Sequence, residues 1–187
     1  MNEVERRLIA GEPLPAAAVA HVRELRLERS YITDLRPLAV LTGLRCIDLT
    51  RARISDIAPL AALTALERLH LSFTAVADLS PLAALRVLEA CFLTGTLVSD
   101  IAPLAGLTRL LRLDLGDTGV SDARPLAGLT NLISLDLSNT QVADLAPLSG
   151  LTALRHLDLT NVPAKDLKPL AHLSACRIVT RPMRRQR

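Results

Sequence analysis

A 22-residue repeat runs through most of this 187-residue chain and limits its possible folds more than any other feature. Seven prolines stand 22 residues apart, and each follows an aspartate by three positions and directly precedes a leucine. Self-similarity at one fixed period is typical of a solenoid, in which short units stack on one another. The prolines are Pro37, Pro59, Pro81, Pro103, Pro125, Pro147 and Pro169, and the aspartates are Asp34, Asp56, Asp78, Asp100, Asp122, Asp144 and Asp166.

The stretch LDLSNTQVADLAPLSGLT, residues 135–152, shows how one unit is built. Leu135 and Leu137 are two apart, so in a strand both point to the interior. Thr140 follows where the chain turns, and its hydroxyl is predicted to bond turn backbone in a ladder with equivalent residues of other units. Asp144 is predicted to be the N-cap of a short 3₁₀ or α-helical turn. Each unit therefore reads as strand, turn, capped helical turn and return.

The unit L-x-x-L-x-L-x-x-T-x-V-x-D-L-x-P-L-x-x-L-T-x resembles the leucine-rich repeat family. It is similar to the 22-residue class of bacterial internalins and of the leucine-rich regulatory subunit of protein phosphatase 1, over about residues 22–175. The resemblance implies an α/β solenoid. It would be a curved leucine-rich repeat array with a parallel sheet on the concave face and short 3₁₀ or helical turns on the convex face.

The chain is expected to divide into a helical N-terminal cap, 1–21, seven 22-residue repeats, 22–175, and a degenerate last strand with a basic tail, 176–187. The cap is predicted to hold two short helices, 3–10 and 14–21, that cover the open core of the first unit.

The last unit departs from the repeat pattern. Cys176 takes the first leucine position, Val179 the second, and Arg181 breaks the third. Arg181 and Pro182 are expected to stop further stacking. The tail RPMRRQR is interpreted as a frayed, solvated terminus rather than a nucleic-acid signal.

Composition excludes several functional classes. Only 2% of residues are aromatic although half are hydrophobic, so the core must be aliphatic and repetitive. The net charge of +3 does not by itself imply nucleic-acid binding.

Motifs of serine hydrolases, zinc proteases and P-loop proteins are absent, so we expect no enzyme, metal or cofactor. The three cysteines form no C-x-x-C pair and are interpreted as reduced, with Cys91 buried and inert at a core leucine position.

The location follows from the same kind of reasoning. The N-terminal segment carries early acidic residues and no uninterrupted apolar region, so it does not read as a cleavable signal. No window reaches about 18 consecutive apolar residues. We expect a cytoplasmic protein, or alternatively one translocated into a host cell without a cleavable signal.

Function is expected at the variable outward positions, because the repeated positions are occupied by folding. Two such sets are predicted to lie side by side on the concave sheet. The position between the two core leucines is Arg26, Asp48, His70, Phe92, Asp114, Asp136 and Asp158. The position two residues after the second core leucine is Arg29, Arg51, Phe73, Gly95, Asp117, Asn139 and Asn161.

An apolar centre between unlike charges is the main candidate site. Phe73 and Phe92 are the only phenylalanines and both fall at outward positions, with Leu97 nearby. The N-terminal part of the face is basic and the C-terminal part is acidic. An exposed apolar patch rimmed by charge marks a recognition surface, although single exposed apolar residues are common. His70 is interpreted as a stacking neighbour of Phe92 rather than a general base.

The run Asp114, Asp136 and Asp158 has three readings. Neighbouring carboxylates repel one another, so positively charged groups are expected nearby to offset the repulsion. Arg112, Arg155 and His156 would do so within the fold. A basic segment of a partner, or a calcium ion, are the alternatives.

Three functions remain open from the sequence. The family resemblance implies a non-catalytic protein-interaction module that binds a partner of unknown identity on its concave face. Nucleic-acid or anionic-surface binding through the N-terminal arginines and basic tail is an alternative that the aspartates disfavour. A structural or engineered solenoid without a dedicated partner is the third. Internalins carry a secretion signal and an immunoglobulin-like domain, and neither is expected here, so scaffolding or an effector role is favoured over a surface adhesin.

Overall fold

Strands and 3₁₀ turns alternate along the chain in a computed structural model that describes residues 3–12, 14–15 and 19–180. Helix α1, Glu3–Ala10, comes first. Eight strands of three residues follow in this described part: β1 Glu24–Arg26, β2 Cys46–Asp48, β3 Arg68–His70, β4 Ala90–Phe92, β5 Arg112–Asp114, β6 Ser134–Asp136, β7 His156–Asp158 and β8 Arg177–Val179. The 3₁₀ turns between them are Arg36–Val40, Ala58–Ala62, Ser80–Ala84, Ala102–Leu104, Arg124–Leu126, Ala146–Gly150 and Lys168–Leu170.

The strands form one parallel sheet in sequence order, from β1 to β8. Each strand pairs with the next at a spacing of 22 residues up to β7, so that equivalent residues lie side by side, as in Leu135 beside Leu157. The sheet stays open and forms the concave face of the solenoid, with the 3₁₀ turns on the convex side. The fold implied by the repeat is therefore confirmed.

The core is aliphatic and continuous from one unit to the next. Leu27, Leu49 and Leu71 are each 1% exposed or less, while the alternating residues point outward. Full burial of each such side chain contributes about 1.5–3 kcal/mol. Because a single unit is too small to enclose its own leucines, this contribution depends on stacking against neighbours.

The turn hydroxyls act within their own unit. Thr140 donates its hydroxyl hydrogen to the carbonyl oxygen of Leu137, three residues earlier, at 2.6 Å. Ser30, Thr74, Thr96 and Thr118 do the same at 2.6–2.7 Å. The predicted hydroxyls are therefore buried and bonded to the turn, but they do not form a ladder between units.

Each repeated aspartate lies one residue before the N-cap position of its 3₁₀ turn, rather than at that position as predicted. Asp144 Oδ1 accepts the N–H of Ala146, the first residue of its 3₁₀ turn, at 2.8 Å. The N-cap residue is Leu145, whose side chain makes no capping bond. The prediction that Asp144 is itself the N-cap is wrong by one residue, since Leu145, which is 1% exposed, occupies that position. The other six aspartates repeat this bond at 2.8–2.9 Å.

Helix α1 has the bounds predicted for the first helix, 3–10, and it contacts strand β1. Leu8 is 3% exposed and belongs to the core, and a Glu5 carboxylate oxygen accepts the backbone N–H of Arg26 at 2.9 Å. An edge strand would otherwise leave that N–H without a protein partner. Residues 16–18 of the second predicted helix lie outside the described residues.

The last strand is shifted by one residue relative to the prediction. Ile178 pairs with Leu157 and Val179 with Asp158, so Ile178 occupies the core position assigned to Val179. The spacing falls from 22 to 21 residues here, which the 22-residue pattern could not anticipate. The predicted break at Arg181 and Pro182, and the basic tail, lie outside the described residues.

Candidate functional site

The first candidate set, here called the strand row, occupies the last residue of strands β1 to β7. The sheet register places its members side by side on the concave face. Its four aspartates bond their own backbone, since one carboxylate oxygen accepts the N–H two residues later. The distances are 2.8 Å for Asp48 to Thr50, 3.0 Å for Asp114 to Gly116, 2.7 Å for Asp136 to Ser138 and 2.8 Å for Asp158 to Thr160.

Two central units replace this aspartate with a ring. His70 and Phe92 are half-buried neighbours whose ring centroids are 4.4 Å apart, with an angle of 18° between the planes. The predicted stacking is therefore present. In the described structure neither ring accepts the backbone N–H two residues later, so these two units lack a contact that the four aspartate units make.

The second candidate set, here called the turn row, does not lie in the sheet. Its members follow the strand by three residues and all have left-handed backbone conformations. The φ angles are Arg29 55°, Arg51 60°, Phe73 58°, Gly95 65°, Asp117 54°, Asn139 56° and Asn161 57°. The expectation that both sets share the sheet is wrong, because this turn carries the chain off the strand. The turn row lines the sheet edge where the strands end.

A short stack forms in the middle of the turn row. The Phe73 ring is 49% exposed and lies over Gly95, where an added Cβ would come within 2.6 Å of a ring carbon. The Arg51 guanidinium carbon lies 5.0 Å from the centroid of the same ring. This distance is within the range of cation–π attraction. Gly95 is therefore required twice, for its positive φ and for the space that the ring fills.

A surface cavity of about 570 Å³ joins the two rows at the N-terminal half of the face. Glu28 and Thr50 lie between the row members that line it, which are Arg29, Asp48, Arg51 and Phe73. A second cavity, of about 270 Å³, lies beside it over strands β1 to β3 and reaches His70. The two cavities are thus lined by the arginines of both rows together with His70 and Phe73, while Phe92 lines neither of them.

The basic character of this half is weaker than the sequence suggests. Arg45 pairs with Glu67 at 3.2 Å, and Arg68 pairs with Glu24 at 3.3 Å. Arg23 donates to backbone carbonyl oxygens near its own strand. These contacts neutralise or occupy the arginines that were expected to add to the basic region.

The acidic run lacks the internal partners proposed for it. In the described part of the chain, no ion pair includes Asp114, Asp136 or Asp158. Arg155 donates to three backbone carbonyl oxygens instead. Burial raises the pKa of the Asp136 carboxyl, and the charges of Asp114 and Asp158 also raise it. Arg112, Arg155 and His156 therefore do not offset this run through ion pairs.

One surface feature was missed from the sequence. Tyr31 is 73% exposed, and the Arg53 guanidinium carbon lies 4.6 Å from its ring centroid. Leu97, 66% exposed, occupies the equivalent position three units later and lies on the loop after the turn row rather than on the sheet. The 22-residue alignment contained this signal, because Tyr31 and Leu97 are separated by 66 residues.

The remaining chemistry of the chain is limited. Cys91 is buried, and burial raises the pKa of its thiol to about 12, which makes it unreactive near neutral pH. Within the described ranges, no cluster of three or more His, Cys, Asp or Glu residues is arranged to hold a metal ion. None of the helices in those ranges has the length and apolar character needed to span a bilayer.

Similar proteins were found at the level of family and of solved structure. Residues 130–172 match the family of Leucine Rich repeats (2 copies). Internalin inlF of Listeria monocytogenes shares 33% identity and a TM-score of 0.82, over 89% of this chain and 50% of that one. This chain thus spans half the length of that internalin. No curated protein matches at a significant level.

Two other structures complete the comparison. Internalin C2 of Listeria monocytogenes is 33% identical, with a TM-score of 0.82 over 85% of this chain and 71% of that one. A leucine-rich repeat protein of Leptospira interrogans shares the fold at 16% identity, with a TM-score of 0.72 over 90% of this chain and 51% of that one. With the repeat, the sheet register and the match to internalin C2 in agreement, the chain belongs to the internalin-like family of leucine-rich repeat proteins.

Proposed function

We propose that this chain is a non-catalytic protein-interaction module whose partner binds the concave face around His70, Phe92 and Phe73. The observation that carries the proposal is the replacement of the strand-row aspartate by His70 and Phe92. Four units use that position to bond the backbone, and these two give up the bond to place rings on the surface. Two stacked, partly exposed rings at a position that most units give to aspartate are best explained by contact with another molecule.

The chemistry of the face suits a protein surface. Aromatic side chains supply much of the binding energy at protein interfaces, most often near the centre with a polar surround. Here the rings lie between Arg26 and Asp48 on one side and Asp114 on the other. The family is one of interaction modules in general, which supports the same reading.

The proposal is tested by affinity capture with three forms of the full chain. Wild type, a Phe73→Ala, Phe92→Ala double variant and a Val40→Ala control are immobilised, and captured proteins are identified by mass spectrometry. Val40 is 56% exposed in the first 3₁₀ turn, on the convex side, so it controls for loss of exposed apolar surface. We expect a small set of proteins on wild type and the control that is lost from the double variant.

Circular dichroism checks that the double variant keeps the fold and a melting temperature close to that of wild type, since Phe73 is 49% exposed and Phe92 is only half-buried. The same proteins captured by all three forms would contradict the proposed site. Retention by wild type alone, with loss from the Val40→Ala control, would move the site to the convex side.

For location, we propose a reducing compartment, which is either the cytoplasm or the interior of a host cell. The support is that Cys46, Cys91 and Cys176 are all free thiols. Persistent free thiols are typical of reducing compartments. Fractionation with a tagged chain tests this, and recovery in a cell-wall or surface fraction would contradict it.

A further inference from the structure

The turn row changes its chemistry between the first three units and the last four. A left-handed conformation costs about 1–2 kcal/mol for most L-residues and much less for Gly, Asn or Asp. The last four units use those tolerant residues, namely Gly95, Asp117, Asn139 and Asn161. The first three instead place Arg29, Arg51 and Phe73 there. Strain kept at three successive units indicates that these side chains serve another purpose.

The two arginines of this group have no carboxylate partner in the described residues. Ion pairs there involve Arg7, Arg36, Arg45, Arg68 and Arg124, and neither Arg29 nor Arg51 is among them. Other exposed arginines of this fold do form ion pairs with carboxylates close by in the sequence. Arg36 and Arg124, for example, pair with the aspartates two residues earlier at 2.8 and 2.7 Å.

The Arg51 guanidinium contacts the Phe73 ring, and within the described residues none of its N–H donors is used in a hydrogen bond or ion pair. Cation–π contact uses the flat face of a guanidinium, whereas carboxylates bind its N–H edge, often in a bidentate manner. Arg29, Arg51 and Phe73 line the same cavity of about 570 Å³. A ligand in that cavity can therefore meet guanidinium donors and the exposed part of the Phe73 ring together.

The charge balance of the cavity favours a single carboxylate over a polyanion. Its lining contains two arginines and two carboxylates, from Glu28 and Asp48, so the formal charges cancel. The Asp48 Oδ1 already accepts the backbone N–H of Thr50. Phosphates in series would bring several negative charges to a lining that already holds two carboxylates, whereas one acidic side chain brings a single negative charge to the two arginines.

We propose that Arg29, Arg51 and Phe73 form a specificity subsite for an acidic residue adjacent to an apolar residue in an extended segment of a protein partner. The carboxylate binds the two guanidinium edges and the apolar side chain packs on the Phe73 ring. This inference rests on the proposed function and names the chemistry of the partner at one end of the concave face.

An array of randomised ten-residue peptides tests the subsite with the full chain. Fluorescently labelled wild type, an Arg29→Ala, Arg51→Ala double variant, Phe73→Ala, Phe92→Ala and an Arg109→Ala control are applied to identical arrays. Arg109 is exposed and unpaired in the described structure, and it lies outside the cavity. We expect wild type and the control to select Asp or Glu beside Leu, Ile, Met or Phe.

The strongest peptide is then titrated in solution beside its amide version, with Glu or Asp changed to Gln or Asn. We expect the amide to bind wild type about tenfold more weakly, as hydrogen bonds to charged groups imply. In the double arginine variant the two peptides should bind within about twofold, since the groups that distinguish them are gone. Phe73→Ala should lose the apolar preference and keep the acidic one.

Several results overturn the subsite, and they separate it from the proposed function. Selection without acidic preference, or acidic preference that survives in the double arginine variant, refutes the subsite. If such peptides still require Phe92, the concave-face function stands. Binding that is indifferent to Phe92, or no selection at all, refutes both. A single-stranded 20-nucleotide DNA that displaces the peptide and binds more tightly assigns the arginines to nucleic acid instead.

Discussion

At the residue scale, the turn row contains two kinds of residue: those that adopt a left-handed backbone at little cost, and those for which this conformation is strained. Asn139 and Asn161 suit the left-handed conformation, and the Asn161 side-chain amide donates to the Asn139 side-chain oxygen at 2.8 Å. Arg29 has the same backbone geometry without being a residue type that favours it. A measurement of the free energy of unfolding can therefore show whether the Arg29 side chain stabilises the fold.

Replacing Arg29 by glycine is expected to stabilise the chain by about 0.5–1 kcal/mol. Relief of left-handed strain, about 1–2 kcal/mol, exceeds the extra backbone entropy of glycine in the unfolded state, about 0.5–1 kcal/mol. Arg26→Gly is the matched control, because Arg26 lies in β1 and should lose about 0.5–1 kcal/mol. Chemical denaturation measures both, and a destabilised Arg29→Gly would show that its side chain supports the fold.

The residues of the rows were predictable from the sequence, but their backbone states were not. The 22-residue alignment identified Phe73 and Arg51 as outward, and both are exposed. It assigned them to the sheet because alternation alone does not indicate where a strand ends. An Asn or Gly at the same position in later units was the available signal for a left-handed turn.

At the element scale, each 3₁₀ turn depends on a carboxylate outside it. Asp78 accepts the backbone N–H of Ser80 and also its hydroxyl, both at 2.8 Å. The backbone bond and then the hydroxyl bond lower the pKa of the Asp78 carboxyl below its ordinary value of 3.8. The motif D-L-x-P-L predicted the turn correctly, while the assignment of the cap needed knowledge of which leucine faces the core.

The change Asp78→Ala is expected to lower the melting temperature at pH 7. Because the folded-state pKa is depressed, the stabilisation is fully present above 3.8 and is lost as the pH falls through the folded-state value. The difference from wild type should therefore shrink below pH 3.8. Asp78→Asn, which keeps an acceptor oxygen, should lose less and show no such pH dependence. A gap between Asp78→Ala and wild type that is constant with pH would exclude the ionised carboxylate as the cause.

At the scale of the whole molecule, the two ends of the core differ. At the first unit Leu25 is 1% exposed and α1 packs against the strand. At the other end Leu167 is 41% exposed, although its equivalent Leu145 is 1% exposed, and Ile178 is only half-buried. The repeat pattern predicted the continuous interior, and the departures from it at the two ends predicted a helical cap at one end and a degenerate strand at the other.

Hydrogen exchange should report the asymmetry directly. In a solenoid each unit is stabilised by its neighbours, so a half-covered terminal unit opens more readily than a central one. Amides of β4 and β5 are expected to exchange slowest, those of β1 at an intermediate rate and those of β8 fastest. Protection of β8 equal to that of β5 would contradict this order.

The regular register also sets the length of the recognition surface. Neighbouring strands are about 4.8 Å apart, so the strand row from Arg26 to Asp158 extends roughly 29 Å. An extended peptide of about nine residues has the same length. Duplication or deletion of one whole unit would change this reach by a fixed increment and leave equivalent core contacts everywhere else. The number of repeat units, which sets the length of the partner segment, can therefore change in evolution independently of the surface side chains that select its sequence.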